Sequence, residues 1–207
     1  MVRIRLLFSK RGPFCFIRHV ELPQIFARAA KRAGLNIQRT EGFSPHPRIS
    51  LGPALPVGVV ACAEPVEIWF CRWEDSFLSL LNQVLPDGLT FSVAEPVDGR
   101  ALNKMCNAGE YLVRFERLEA VKQLKALLSM GENPWEEYLL RWSWDGRFLK
   151  CVLADPAQRG PGAMVKDLVS AGVVTGWPDL RLARLAVGSW DSSRALVIPL
   201  VGDEKLS

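Results

Sequence analysis

The sequence predicts an α+β protein, because two kinds of hydrophobic period alternate along it. Some segments place an apolar residue at every second position, which is the period of a strand, and others follow the i, i+3, i+4 spacing of an amphipathic helix. Proline and glycine separate these segments and mark the turns. The order β-α-β-β-α-β can be assigned once in each half of the 207 residues.

The first half begins with a strand and a helix. Residues 2–8 alternate between apolar side chains and arginines, which predicts a half-buried strand. Residues 22–33 have helical spacing, with Pro23 suited to the first turn and Gly34 to the C-terminal cap. Further along, the patterns predict a strand at 65–71, a helix at 73–85, a strand at 89–97 and one more strand within 38–52.

The second half repeats this order of elements without repeating the sequence. Asp145-Gly146 between two strand-like runs is a strong hairpin signal. The predicted elements are strands at 110–116, 137–144, 147–154 and 180–187, with helices at 118–130 and 163–171. We therefore expect two tandem ferredoxin-like (βαββαβ) units, a basic one at 1–100 and a second at 105–207.

Composition excludes several classes of protein. Hydrophobic residues make up 49% and charged residues 23%, as in an ordinary soluble domain. No run reaches the roughly 18 to 20 apolar residues of a membrane helix, and the N-terminus lacks the apolar core of a secretory signal, so we expect a cytoplasmic protein without a membrane partner. Five widely spaced cysteines without a CxxC pair predict reduced thiols, no bound metal and no cofactor, the alternative being a site built from cysteines distant in sequence.

Charge is distributed unevenly along the chain. Residues 1–60 contain ten lysines and arginines against two acids, a balance of +8, whereas the remainder has 16 basic and 20 acidic residues, a balance of −4. A basic half beside a mildly acidic one suggests an anionic partner, most often nucleic acid. The alternative is a basic face that is simply solvated.

A proline-rich stretch, residues 40–58, is the most unusual segment. Its nineteen residues include four prolines and three glycines, which exclude a helix. Pro45 and Pro47 bracket His46, and Arg48 follows, so a stiff loop would present both polar side chains. The alternative is a loop that is rigid only for stability. We expect five apolar residues to anchor it: Phe43, Ile49, Leu51, Leu55 and Val57.

Only two histidines are available for acid–base chemistry, His19 and His46. Glu21 or Glu41 could pair with either one, although a helix-cap role for His19 and a polar loop role for His46 explain both residues equally well. Residues 159–162 (Arg-Gly-Pro-Gly) precede a predicted helix and could bind an anion through backbone donors, or could be an ordinary turn.

The motifs at residues 8–22 and 41–58 resemble the radical SAM-linked protein family, a bacterial domain of uncharacterised function. Phe-Ser-Lys-x-Gly, His-x-Glu-Leu, Glu-Gly-Phe-x-Pro-His-Pro and Leu-Pro-Val-Gly occur in the family's order. The resemblance implies an accessory domain that works with a separate radical SAM protein, and it makes RNA a plausible target. Because this chain lacks CxxxCxxC, it cannot itself be the radical SAM enzyme.

Together these features favour a non-catalytic module that holds RNA for a radical SAM enzyme. Two alternatives remain: an RNA-processing or RNA-modifying enzyme that uses His19 or His46, and a protein–protein adaptor. The expected nucleic-acid or anion-binding residues are Lys10, Arg11, Arg18, Arg28, Arg32, Phe43, His46 and Arg48, with His19, Glu21 and Glu41 beside them.

Overall fold

The computed structural model describes residues 1–201. These residues form a mixed α+β fold with a mostly antiparallel sheet of nine strands and with four α-helices. The α+β prediction is thus confirmed. The predicted second unit extends to residue 207, and its end, residues 202–207, lies outside the described residues.

Except for one additional short strand at the end, the strands and helices follow the predicted order. The strands are β1 (Val2–Lys10), β2 (Ile49–Leu51), β3 (Val60–Phe70), β4 (Leu89–Pro96), β5 (Ala108–Phe115), β6 (Leu139–Asp145), β7 (Phe148–Ala154), β8 (Leu180–Asp191) and β9 (Leu196–Pro199). The helices are α1 (Leu22–Arg32), α2 (Ser76–Val84), α3 (Leu118–Met130) and α4 (Pro161–Ser170).

One sheet joins the two halves of the chain. Its strand order is β4-β1-β3-β8-β5-β7-β6, with β2 paired to β3 and β9 paired to β8. The halves meet where β3 runs parallel to β8, and this pairing places Val60 beside Ala183 and Ala61 beside Arg184. The other strand pairs among residues 1–201 are antiparallel.

Each half has its own hydrophobic core, formed where two helices pack on the sheet. In the first core, α1 and α2 cover β1, β3 and β4. In the second core, α3 and α4 cover β5, β7 and β8. Leu55 of the proline-rich stretch belongs to the second core, together with Val59 and Ala61. The same stretch contains β2, whose Ile49 and Leu51 pack against the first core, so it contributes to both cores.

Strand β1 differs from the prediction of a half-buried strand, because both of its faces are covered. Arg5 is only 3% exposed. Its Nε donates to Glu67 at 3.0 Å, and its Nη1 donates to the carbonyl of Leu200 at 3.2 Å. The strand pattern gave no sign that the chain near residue 200 would cover this face.

Other details also differ from the predictions: β3 begins at Val60, five residues before the predicted strand, and α2 begins at Ser76, three residues after the predicted start. Helix α4 begins at Pro161, two residues early, because a proline in the first turn needs no hydrogen-bond acceptor for its nitrogen. Strand β9 was not predicted. Of the five expected anchors of the proline-rich stretch, Phe43 and Val57 are exposed, at 110% and 48%.

Candidate nucleic-acid interface

Helix α1 buries one face and presents cations on the other. Leu22 and Phe26 are each 1% exposed and lie in the first core, whereas Arg28 and Lys31 are exposed. Pro23 occupies the first turn, where it is tolerated. The amphipathic sequence therefore sets the direction of the basic side chains.

A short turn before α1 is closed by Arg18 and Glu21. The Glu21 carboxylate accepts hydrogen bonds from the Arg18 backbone N–H at 3.0 Å and from its Nε at 3.2 Å. The hydrogen bonds from the Arg18 side chain and backbone lower the pKa of Glu21. Arg18 is exposed, but part of its charge is already neutralised by this carboxylate.

The proline-rich loop is closed by contacts between Thr40 and His46. The Thr40 backbone N–H donates to the His46 carbonyl at 2.8 Å, and the His46 backbone N–H donates to Thr40 Oγ1 at 3.2 Å. Pro45 and Pro47 restrict φ on both sides of the histidine. The loop between these contacts has few accessible conformations, and it carries the fully exposed Phe43.

A groove of about 620 Å³ lies between α1 and this loop. Part of its lining is cationic or titratable, namely Arg28, Lys31 and His46. Among residues 1–201, none of these three side chains pairs with a carboxylate; the ion pair formed within residues 11–48 is that of Arg18 with Glu21. The rest of the lining is Val20, Pro23, Gln24, Ala27 and Pro47.

The start of the same loop borders a second cavity, of about 570 Å³. The Arg48 guanidinium stands 4.5 Å from the ring centroid of Trp69, and that of Arg3 stands 5.8 Å from it. Such stacking holds an arginine in place while leaving its N–H groups free to bind an anion. The lining consists of Met1, Gln38, Arg39, Thr40, Glu41 and Arg48.

Most of the basic residues predicted for the surface are exposed: Arg11, Arg18, Arg28, Arg32 and Arg48. Lys10 is not, since it is only 1% exposed. Its Nζ donates to the carbonyls of Cys15 at 3.5 Å and Ile17 at 3.3 Å, and burial lowers its pKa. Lys10 therefore stabilises the turn after β1 and takes no part in the exposed surface.

A buried ion pair between Glu64 and Arg184 lies where the halves meet. Arg184 Nε donates to Glu64 Oε1 at 2.7 Å, and its Nη2 contacts Oε2. The same guanidinium donates to the carbonyl of Pro53 at 2.6 Å. Although burial disfavours its charge, attraction and hydrogen bonds to Glu64 raise the pKa of Arg184. The pair links β3, β8 and the proline-rich stretch.

The charges of this pair also affect the pKa values of Tyr111 and His19. The Tyr111 hydroxyl is buried and has no hydrogen-bond partner of normal geometry within residues 1–201, and burial raises its pKa to about 12. Burial lowers the pKa of His19, while Glu64 acts in the opposite direction. His19 is partly buried, whereas His46 is exposed and lines the groove.

The predicted histidine–carboxylate arrangement is not formed by Glu21 or Glu41. Within residues 1–201 no hydrogen bond joins a histidine to a carboxylate: the ring of His46 lies 3.1 Å from Thr40 Oγ1, and Glu21 is bonded to Arg18. Glu41 lines the second cavity instead of the groove.

The protein should lose stability as the pH falls below about 6.5, the ordinary pKa of histidine. The pKa of His19 is lower in the folded state, so the unfolded chain binds more protons than the folded protein as the pH falls below about 6.5. The contribution of His19 to the free energy of unfolding is therefore complete above about pH 6.5 and is lost as the pH falls toward the pKa of the folded state. Urea unfolding between about pH 8 and about pH 5 measures this effect. The variant His19→Gln should show a weaker pH dependence, and an unchanged dependence would contradict the prediction.

The Gly-Pro-Gly turn before α4 borders a smaller cavity of about 250 Å³. Its lining is apolar or backbone, from residues 54–56, 156–157 and 160–163. Arg159 points its charge elsewhere, since it pairs with Asp167 at 3.7 Å and stacks 4.3 Å from the centroid of Tyr138. No cationic side chain lines this cavity beside the helix N-terminus, so it is a weaker candidate for an anion site than the groove beside α1.

Residues 1–201 contain neither a cluster of metal ligands nor a membrane-spanning helix. No group of three or more histidine, cysteine, aspartate or glutamate side chains is arranged to hold a metal ion. Within the same residues no helix is both long and apolar enough to cross a membrane. All five cysteines are free thiols.

Sequence reasoning missed three residues that matter to these sites, Glu64, Trp69 and Arg184, and it placed Lys31 on the surface of α1 without including it among the binding residues. Lys31 was available from the helical spacing of α1, which places it one turn after Arg28. Glu64 and Arg184 are 120 positions apart, and an acid or a base in a strand is normally taken to face solvent. Only tertiary structure shows that they meet inside.

The fold and these sites define an α+β protein with an exposed cationic groove on its first half. Residues 3–139 match the family described as "Uncharacterized protein conserved in bacteria (DUF2344)". Because the match spans most of the chain, the protein belongs to this family, and the expectation of an uncharacterised bacterial domain is confirmed. No curated protein matches the chain.

Among solved structures, the crystal structure of an unknown protein from Galdieria sulphuraria resembles this chain weakly. The alignment covers 88% of this chain and 98% of that one, at 12% identity and a TM-score of 0.28. A similarity at that score carries no argument about fold or function.

Proposed function

We propose that this protein is a binding module that holds RNA on the exposed cationic surface of its first half and serves a separate radical SAM enzyme. The main support for this proposal is the groove beside α1, where Arg28, Lys31 and His46 line one cavity without a carboxylate partner among residues 1–201. The radical SAM partner comes from the resemblance of the motifs at 8–22 and 41–58.

Phosphate contacts explain why cations without partners would be kept on one surface. Arginine and lysine side chains bind phosphate oxygens and release the condensed counterions, so affinity falls as salt rises. In residues 1–60, seven of the ten basic residues are exposed: Arg11, Arg18, Arg28, Lys31, Arg32, Arg39 and Arg48. The acidic second half would orient a polyanion toward the first.

We further propose that the two halves are tandem ferredoxin-like units, with boundaries near 1–100 and 105–207. The strand orders support this assignment: β4-β1-β3-β2 in the first half and β8-β5-β7-β6 in the second. The first, third, second and fourth strands of each half thus take equivalent places. Helices on one face of each half add further support.

Removing the groove cations should weaken RNA binding and flatten its salt dependence. For the double variant Arg28→Ala/Lys31→Ala, the slope of log affinity against log salt should become shallower by about 1.5, because two phosphate contacts are lost. Fluorescence anisotropy of a labelled RNA across a salt series measures the slope.

The matched control is Lys122→Ala/Lys166→Ala, which removes the same charge from exposed positions on α3 and α4 of the second half. That variant should keep nearly the wild-type slope. If both variants lose the same slope, binding depends on net charge alone and the groove is not the site. If the wild-type protein does not bind RNA, the proposed function is wrong.

A further inference from the structure

We infer that the groove surface takes single-stranded RNA, with an unpaired base stacked on Phe43. This inference rests on the proposed RNA-binding function and adds the form of RNA that is bound. Its starting point is an aromatic side chain that is 110% exposed on a loop whose other features restrict motion. An exposed phenylalanine ring buries no apolar surface and therefore does not stabilise the folded protein.

The loop geometry favours a binding role for Phe43. The reciprocal contacts between Thr40 and His46, at 2.8 and 3.2 Å, close the loop three residues on either side of the phenylalanine. A ligand that stacks on the ring would therefore immobilise little additional chain, which favours affinity. His46 also lines the groove, so one short loop joins the aromatic ring to the phosphate-binding cations.

The groove lining is mixed in a way that suits a single strand. Val20, Pro23, Ala27 and Pro47 supply apolar surface beside Arg28 and Lys31. Val20 alone is 77% exposed. A duplex presents phosphates and sugars and keeps its bases stacked inside, so it could use the cations but neither this apolar surface nor Phe43. Unpaired bases can splay out, contact apolar surface and stack on aromatic rings.

Arg48, which follows the loop, provides a second stacking surface. Its guanidinium is already held 4.5 Å from the Trp69 centroid, and the residue is exposed beside the second cavity. Planar arginine groups stack on bases as aromatic rings do. A strand that passed along the loop would meet Phe43 and Arg48 five positions apart in sequence, with Arg28 and Lys31 on its phosphates.

The test compares a single-stranded RNA of about 12 nucleotides, within the usual site sizes, with the same RNA paired to its complement. Wild-type protein should bind the single strand more tightly. Phe43→Ala should weaken single-strand binding by about tenfold to one hundredfold, the effect of losing one stacked base, and should leave duplex binding and the salt slope unchanged. Phe43→Trp should bind the single strand about as tightly as wild type, because it keeps an aromatic ring at this position.

A control variant and a spectroscopic probe separate stacking from general damage. Phe148→Ala truncates a phenylalanine that is 40% exposed in the second half, and it should leave RNA binding unchanged. An oligonucleotide that carries 2-aminopurine should lose fluorescence on binding wild type, since stacking quenches it, and should recover it with Phe43→Ala.

The possible outcomes test single-strand binding separately from RNA binding itself. Equal affinity for both RNAs, or an indifferent Phe43→Ala variant, overturns the single-strand inference while salt-dependent RNA binding still supports the proposed function. If neither RNA binds, both are overturned, and Phe43 becomes a candidate contact for a protein partner.

Discussion

Glu64→Ala should lower the free energy of unfolding by about 3 to 5 kcal/mol, because it leaves a buried charge without its partner. The Arg184 side chain is fully buried, and its Nε donates to the lost carboxylate at 2.7 Å. The carbonyl of Pro53 would remain as an acceptor, but a neutral carbonyl cannot replace a carboxylate. Urea unfolding followed by circular dichroism measures the change.

Two control variants test whether the loss of stability with Glu64→Ala arises from the burial of the ion pair. Glu74→Ala breaks an exposed pair with Arg72 at 3.7 Å and should change stability by less than about 1 kcal/mol. The double variant Glu64→Leu/Arg184→Met replaces both charges with apolar side chains and should recover much of the loss, as replacements of whole buried pairs often do. A Glu64→Ala variant as stable as Glu74→Ala would show that the junction does not depend on the pair.

Phe26→Ala should lower the free energy of unfolding by about 3 to 5 kcal/mol and should shift the unfolding transition of both halves. Phe26 is 1% exposed, and its ring centroid lies 5.2 Å from that of Phe8 and 5.0 Å from that of Phe91. We expect the halves to unfold together because one sheet runs through both, and because Leu55 of the first half packs in the second core.

Intrinsic fluorescence can report this coupling, since five of the seven tryptophans lie in the second half: Trp135, Trp142, Trp144, Trp177 and Trp190. The fluorescence transition should therefore move when Phe26 is truncated. Leu124→Ala in the second core, where the leucine is 0% exposed, is the matched control and should produce one shifted transition as well. If Phe26→Ala leaves the fluorescence transition in place, the halves unfold independently.

Elements with regular hydrophobic spacing were the most predictable part of the fold. Helix α3 has the predicted bounds, 118–130, and ends where Gly131 takes a φ of 80°. Its apolar spacing is regular and its cap is a glycine, so local sequence is enough to define it. The short strand β9 has no such signal, because four residues carry too little periodicity and their pairing with β8 is tertiary.

Buried charges were the least predictable part of the candidate site. Arg5, Lys10 and Arg184 look like surface residues in the sequence, yet each is buried. Their partners are a carboxylate far along the chain, or backbone carbonyls that converge only after folding. The stiffness of the loop around His46 was predictable, since prolines act locally, whereas the sequence allowed Phe43 to be either an apolar anchor or an exposed binding residue, and the structure shows it exposed.

The buried ion pair also affects how the chain should be truncated. The family match ends at residue 139, so it retains Glu64 but omits nearly all of β6 and the whole of β7, α4, β8 with Arg184, and β9. A fragment cut at that boundary would carry a carboxylate deep in an apolar interior without its cation. It would also expose the edges of β3 and β5 that β8 joins, and open strand edges promote aggregation. The limits of sequence similarity are therefore poor limits for expression of this protein, and a soluble fragment needs to extend at least through β8.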